Sequence, residues 1–307
     1  MILTICPNPS MDCTIELDSL NVGMLNKIQN KIETYSGKAQ NVAIAVARLK
    51  GKVFSTGFMF ENEGKMFEHV LDLEGVSHKF VWNEGSVRVN YKIIDKKSML
   101  TEINDKGALV SRNKQLELIE LVKELSKNCD IAVMSGSLPQ GVDKDFYREV
   151  LSVIPSNVKK IVDTGSENLD YAMKAGLYMI KPNLRELEAY TKKSLKTKKD
   201  VLQACQCFID KGVKYVLASL GSDGAILTDG ERGYYSRSAN VAVNSTVGAG
   251  DSMVAAAAVK TEEGVDLKEM LKCCVAAGTA AVTTSGTKLF YKDKYDEIYE
   301  QIKVEEI

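Results

Sequence analysis

From about residue 110 onward, the sequence alternates short β-rich apolar runs with longer stretches of helical period. This pattern predicts parallel strands joined by crossover helices, because a parallel neighbour can be reached only through a connection long enough to carry the chain back across the sheet. The predicted strands are residues 131–134, 160–163, 177–180, 215–219 and 225–228. Between them, residues 114–127 and 200–211 carry apolar side chains at helical spacing, so helices are expected on both faces of the sheet. Residues 251–260 and 267–283 are Ala-rich with little charge, as befits two closely packed buried helices. Near the start, strands at 2–6 and 53–58 flank a helix at 40–49 and form one more unit of the same kind.

A second pattern interrupts this one. Residues 13–17, 27–34, 87–94 and 99–103 alternate apolar with polar side chains, as half-exposed antiparallel strands do. They predict a small sheet built from two inserted segments, at about 12–35 and 86–104, within a single domain spanning 1–307. The lysine-rich stretch 192–199 reads as a solvated face.

Charge and cysteine usage narrow the setting. Lys and Arg number 40 against 41 for Asp and Glu, so no global field selects nucleic acid or an anionic membrane, and any anionic ligand must be held locally. The seven cysteines include a C-x-C and a C-C spacing, neither of which suits a structural zinc site. The first residues lack the basic stretch of a secretory signal, and their apolar run stops at Pro7. Reduced thiols and a cytoplasmic location are the expectation.

The most informative segment for chemistry is Asn244-Ser245-Thr246-Val247-Gly248-Ala249-Gly250-Asp251-Ser252, which runs into an Ala-rich helix. Its small residues let a backbone approach a ligand closely, and the amides opening the helix suit an anion such as a phosphoryl group. A carboxylate at Asp251 would repel a merely bound anion. It fits if its task is to take a hydroxyl proton during phosphoryl transfer. The same Asp also reads as an ordinary acidic residue near a helix N-terminus after a glycine turn. Lys38 opens a predicted helix against the dipole preference, consistent with an anionic ligand or with plain solvation. Ser135-Gly136-Ser137-Leu138-Pro139 follows a core strand, at the edge where open α/β sheets place ligands. Neither a P-loop nor a G-x-G-x-x-G after the first strand occurs.

Six segments then come in register: Asn8-Pro9-Ser10-Met11-Asp12; Gly37-Lys38 with Asn41-Val42-Ala43; Ser135-Gly136-Ser137-Leu138-Pro139; Lys181-Pro182-Asn183 with Glu186-Leu187; Ser219-Leu220-Gly221 with Asp223-Gly224; and Thr246 through Ser252. In this order they resemble the ribokinase-like (PfkB) carbohydrate kinases across almost the whole chain. With Val87-Arg88-Val89-Asn90 and Thr101-Glu102-Ile103-Asn104, the sequence looks like the 1-phosphofructokinase and tagatose-6-phosphate kinase branch.

The resemblance implies a three-layer α/β/α sandwich with a mostly parallel central sheet and a small antiparallel sheet acting as a lid. It implies ATP and Mg²⁺ as cofactors, a sugar phosphate as acceptor, no nucleic-acid or membrane partner, and a homodimer formed through the lid sheet. By the same resemblance, Asp251 is the catalytic base, and the amides of Gly248, Ala249 and Gly250 are the anion hole. Asp12 and Asn41 bind sugar hydroxyls, Lys38 and Arg88, with Lys27, Asn90 and Ser137, form the pocket for the sugar's own phosphate, and Gly37 also lines the substrate site. Asn183 and Glu186 organise magnesium through water. Lys181, Ser219, Gly221, Gly224, Gly278 and Thr284 border the nucleotide. Ser36 and Ala39 stand where the family usually has glycine. D-fructose 1-phosphate is the first acceptor implied and tagatose 6-phosphate the second. A silent sugar-phosphate sensor on the same fold is the reading from another class, and a kinase of nucleosides or free sugars is a third. His69 and His78 match no motif.

Overall fold

The computed structural model describes residues 1–97, 99–284 and 288–307. The chain opens with β1 (Ile2–Cys6), buried at all five residues, then leaves the core through β2 (Ser10–Leu17) and β3 (Asn30–Ser36). It returns by α1 (Lys38–Arg48) to β4 (Val53–Asn62), and continues through α2 (Gly64–Leu73), β5 (Ser77–Ser86), β6 (Arg88–Asp95) and β7 (Leu100–Asn104). The regular alternation follows: α3 (Arg112–Leu125), β8 (Ile131–Ser135), α4 (Phe146–Ser152), β9 (Lys159–Asp163), α5 (Ser166–Met173), β10 (Met179–Ile180), α6 (Leu184–Thr191), α7 (Lys198–Ile209) and β11 (Tyr215–Ser219). The last elements are β12 (Ala225–Thr228), β13 (Gly233–Ser236), α8 (Ala249–Glu263), α9 (Leu267–Val282), α10 (Lys292–Tyr299) and β14 (Val304–Glu306).

The large sheet runs β14-β13-β12-β11-β10-β9-β8-β1-β4-β5. It is parallel from β5 to β11. The sequence expectation of a parallel strand at 225–228 is corrected, since β12 pairs antiparallel with β11 and is followed by antiparallel β13 and β14. Only the segment between Ser219 and Ala225 separates β11 from β12, too short a connection for a crossover. The small sheet has the order β3-β2-β6-β7, antiparallel in its outer pairs and parallel where β2 meets β6. That seam is parallel because two separate excursions of the chain supply its strands.

Helices α1, α8, α9 and α10 pack on one another in succession, as do α3 to α7, and so cover the sheet in two layers. α8 has no polar stripe across its middle: Ala255 to Ala258 are fully buried, and these small side chains let α1 and α9 pack closely against it. Stretch 192–199 is exposed apart from Leu195. No described helix is long and apolar enough to cross a membrane. The parallel strands β1, β8, β9, β10 and β11 all point their C-terminal ends at one edge, where an open α/β sheet holds its ligands.

Candidate active site

Gly248 caps the start of α8 in the left-handed region, at φ 82°, with no side-chain cap. The first backbone bond across this turn is Ser252 N–H to the Gly248 carbonyl, 2.9 Å, so the amides of Ala249, Gly250 and Asp251 lie free of the helix ladder. A Cβ on Gly250 would come 3.1 Å from Lys181 Nζ, which puts that ammonium directly against the amide turn.

Asp251 is buried in the first turn of α8, and Asn41 Nδ2 on α1 donates to its Oδ2 at 2.8 Å. Burial raises the Asp251 carboxyl to about 6, with Asp163 adding to the rise and Lys38, the Asn41 hydrogen bond and Lys181 opposing it. A carboxylate in that range is ionised at neutral pH yet basic enough to accept a hydroxyl proton.

Asp163, missed in the sequence, is the hub of the neighbouring charges. It ends β9, is buried, and lies between Lys38 at 3.3 Å and Lys181 at 3.4 Å. Burial pushes its carboxyl up, but the Lys181 and Lys38 ammoniums outweigh that and hold it below the usual carboxylate range. Asp163 in turn raises Lys38 above its ordinary value. An acidic residue closing a core strand was the available signal. The turn carrying Ser137 is strapped to the same place, since the Gly136 carbonyl accepts from Tyr147 at 2.6 Å and Thr164 at 3.0 Å.

The small sheet supplies a second cluster. Asp12 on β2 accepts from Asn90 Nδ2 at 3.1 Å and from Lys92 Nζ at 2.7 Å, both on β6. Arg88 donates to Asn90 Oδ1 at 3.3 Å and to the Asn8 carbonyl at 3.5 Å, and Asn8 Nδ2 reaches Ser137 Oγ at 3.3 Å. Asn8 was quoted in its motif without a role, and Lys92 was not singled out in the sequence. Lys27, expected beside Arg88, is instead exposed in the loop between β2 and β3 and makes no hydrogen bond or ion pair to the other site residues among the described contacts. Lys38 pairs with Asp163 and feels the charge of Asp251. A Cβ on Gly37 would meet Gln40 Oε1 at 2.1 Å and Cys6 Sγ at 3.0 Å, so a side chain there would make these neighbours shift. Ser36, where glycine was expected, is buried and donates to the Ser10 carbonyl at 3.4 Å, while Ala39 is wholly buried.

Across the sheet edge, Asn183 and Glu186 form a reciprocal capping box at the start of α6, with bonds of 2.9 and 2.8 Å. Ser219 bridges to Asn183, and Gly221 and Gly224 close the turn that follows, with both φ angles positive. Gly278 is buried in α9 against Met253, and Thr284 donates to the Ala281 carbonyl at 2.8 Å, just beyond α9. The capping box uses one oxygen of the partly buried Glu186, and among the described residues the other has no hydrogen-bond partner. No three His, Cys, Asp or Glu side chains form a metal cage among the described residues. One carboxylate beside a phosphate site fits magnesium, which keeps its waters and arrives with nucleotide phosphates.

Free amides, two lysines and a buried carboxylate at the carboxyl edge of an α/β sheet make a site suited to moving a phosphoryl group. The model of the pfkB family carbohydrate kinases matches residues 8–294, and the chain belongs to that family of ATP-dependent enzymes. It is 32% identical to a 1-phosphofructokinase of Borreliella burgdorferi over 309 residues, covering 100% of this chain and 99% of that one. It is 30% identical to a tagatose-6-phosphate kinase of Staphylococcus epidermidis over 311 residues, covering all of both. Its fold matches the phosphofructokinase-2 of Escherichia coli, solved with substrates and products, at a TM-score of 0.91 and 31% identity over 98% of each chain.

Proposed function

We propose that the protein transfers the γ-phosphoryl of ATP to a hydroxyl of a ketohexose phosphate, D-fructose 1-phosphate becoming D-fructose 1,6-bisphosphate. The observation that carries this reading is the buried Asp251 carboxylate, held by Asn41 and raised to about 6 at the amide-lined start of α8. Asp251 takes the proton of the acceptor hydroxyl. The amides of Ala249 and Gly250, with Lys181 and Lys38, stabilise the charge on the group in transit. Asp12 and Asn90 bind sugar hydroxyls, and Arg88, Asn8 and Ser137 bind the phosphate already present. Magnesium, held by Glu186 through water, neutralises the nucleotide phosphates when bound.

The small sheet, inserted at about 12–35 and 86–104 in a single domain, closes over the sugar. The loop preceding β3 exposes Val22, Met24 and Leu25, and the sheet itself exposes Tyr91, Leu100 and Ile103. These apolar residues support a homodimer formed through the lid. The location we assign is the cytoplasm.

Tagatose 6-phosphate is the second acceptor to test, because both phosphorylated ketohexoses appear in the names of relatives about equally similar. A silent sensor would need neither the buried base nor the magnesium-side carboxylate. The deciding experiment is a coupled assay with ATP and Mg²⁺ over fructose 1-phosphate, fructose 6-phosphate, tagatose 6-phosphate and the free ketohexoses. Turnover confined to phosphorylated sugars is expected, and a preference for a free sugar overturns the reading.

A further inference from the structure

Lys92 has no part in the phosphoryl-transfer chemistry, yet it is among the few buried lysines of the chain, with 9% of its surface exposed. Its ammonium lies 2.7 Å from Asp12 Oδ2. In the parallel seam, Asp12 stands opposite Asn90 and Thr14 opposite Lys92. Strand alternation therefore puts Arg88, Asn90 and Lys92 on one face of β6, the face shared with Asp12. Glu102, the partner of Lys92 across the β6–β7 register, is exposed, which leaves Asp12 as the buried counter-charge.

Donor chemistry gives this row a direction. Arg88 and Lys92 can only donate. Arg88 claims Asn90 Oδ1, so Asn90 must turn its amide nitrogen to Asp12 Oδ1, and Lys92 supplies the donor for Oδ2. Both oxygens of Asp12 thus receive a fixed donor, and each keeps a lone pair for a ligand hydroxyl. Removing Lys92 would leave a buried carboxylate without its counter-charge, which favours its swinging away.

We propose that Lys92 is a positioning residue for sugar recognition: it holds Asp12 aimed, so that Asp12 accepts hydrogen bonds from the acceptor's hydroxyls. The proposal rests on the reading of Asp12 as a sugar ligand. It predicts that Lys92 acts through Asp12 and through nothing else in the site.

A kinetic double-mutant cycle on the full chain tests this, with wild type, Lys92→Met, Asp12→Asn and the double variant assayed on whichever sugar the wild type uses best. A wrong sugar assignment then changes the substrate and leaves the coupling readable. Lys92→Met should raise the KM for the sugar roughly 10–100-fold while the KM for ATP stays within about twofold, the scale of one charge-assisted hydrogen bond. In the Asp12→Asn background the same change should add less than about threefold. Lys92→Arg should restore most of the sugar affinity, because it returns a buried cation. A full effect of Lys92→Met without Asp12, or equal loss for sugar and ATP, overturns the proposal. Should Lys92→Met not fold, Lys92→Gln carries the same cycle, with the same outcomes deciding it.

Discussion

Asn41 and Asp251, 210 residues apart, are joined by a 2.8 Å hydrogen bond between α1 and α8. The bond commits Asp251 Oδ2 and leaves Oδ1 as the oxygen for a proton. It also ties the first helix of the chain to the helix whose opening amides lie free of the ladder. One contact between distant segments therefore ties Asn41 of α1 to the carboxylate and the free amides that share the first turn of α8, and its consequences can be measured.

Asp251→Asn should lower kcat by roughly 10²–10⁴-fold while sugar and ATP still bind, because it removes the proton acceptor at little steric cost. It should also stabilise the fold. The Asp251 carboxyl is raised from 3.8 to about 6, so the folded state binds its proton more tightly than the unfolded one, and stability is lost as the pH rises from about 4, in full above about 6. Asparagine removes that cost, worth about 1–3 kcal/mol at pH 7.5 and vanishing below about pH 4. Calorimetry at the two pH values checks this, and near-normal turnover would remove Asp251 from the role of base.

The rate should fall as pH drops through about 6, where Asp251 takes up a proton. Lys38 holds that carboxyl down, so Lys38→Met should move the acid limb of the kcat/KM profile to higher pH. Comparing variant with wild type cancels the substrate's own phosphate ionisation. An unmoved limb would show that Lys38 does not act on Asp251.

Glu186→Gln should raise the magnesium concentration for half-maximal rate by roughly tenfold or more, the usual size of an outer-shell effect on a metal site. Glutamine can still accept from the Asn183 amide, so the helix cap survives and the melting temperature should hold. Titration of initial rate against Mg²⁺ gives the answer. An unchanged requirement separates Glu186 from the metal.

Arg88→Ala should raise the KM for the sugar phosphate well above any change for ATP, at a cost of roughly 1.5–3 kcal/mol for a charge-assisted hydrogen bond. Equal impairment on phosphorylated and free sugars would show that Arg88 does not read a phosphate.

Much of the fold was legible because its elements are locally marked. Strands β8, β9 and β11 fall within a residue of their expected places, since each is a short apolar run bounded by polar turns. Strand β10 shrinks from the expected 177–180 to Met179–Ile180. Helix α1 begins at Lys38, two residues earlier than its pattern indicated. Helix α2 and strand β5 were not foreseen: α2 is only ten residues long and buries only Gly64, Phe67 and Leu71, and β5, at the sheet edge, ends in exposed polar residues.

What the sequence determined by itself was the order of elements and the short motifs, because a glycine turn, a capping box or a buried run is specified by residues close in the chain. The tertiary structure alone decided the partners of the charges. Asp163 meets Lys38 across 125 residues, and Asp12 meets Lys92 across 80. Such pairs depend on which side chains share a space with little water, where an ion without a partner is costly. Strand pairing and helix packing create that space, and no local pattern of residues encodes it.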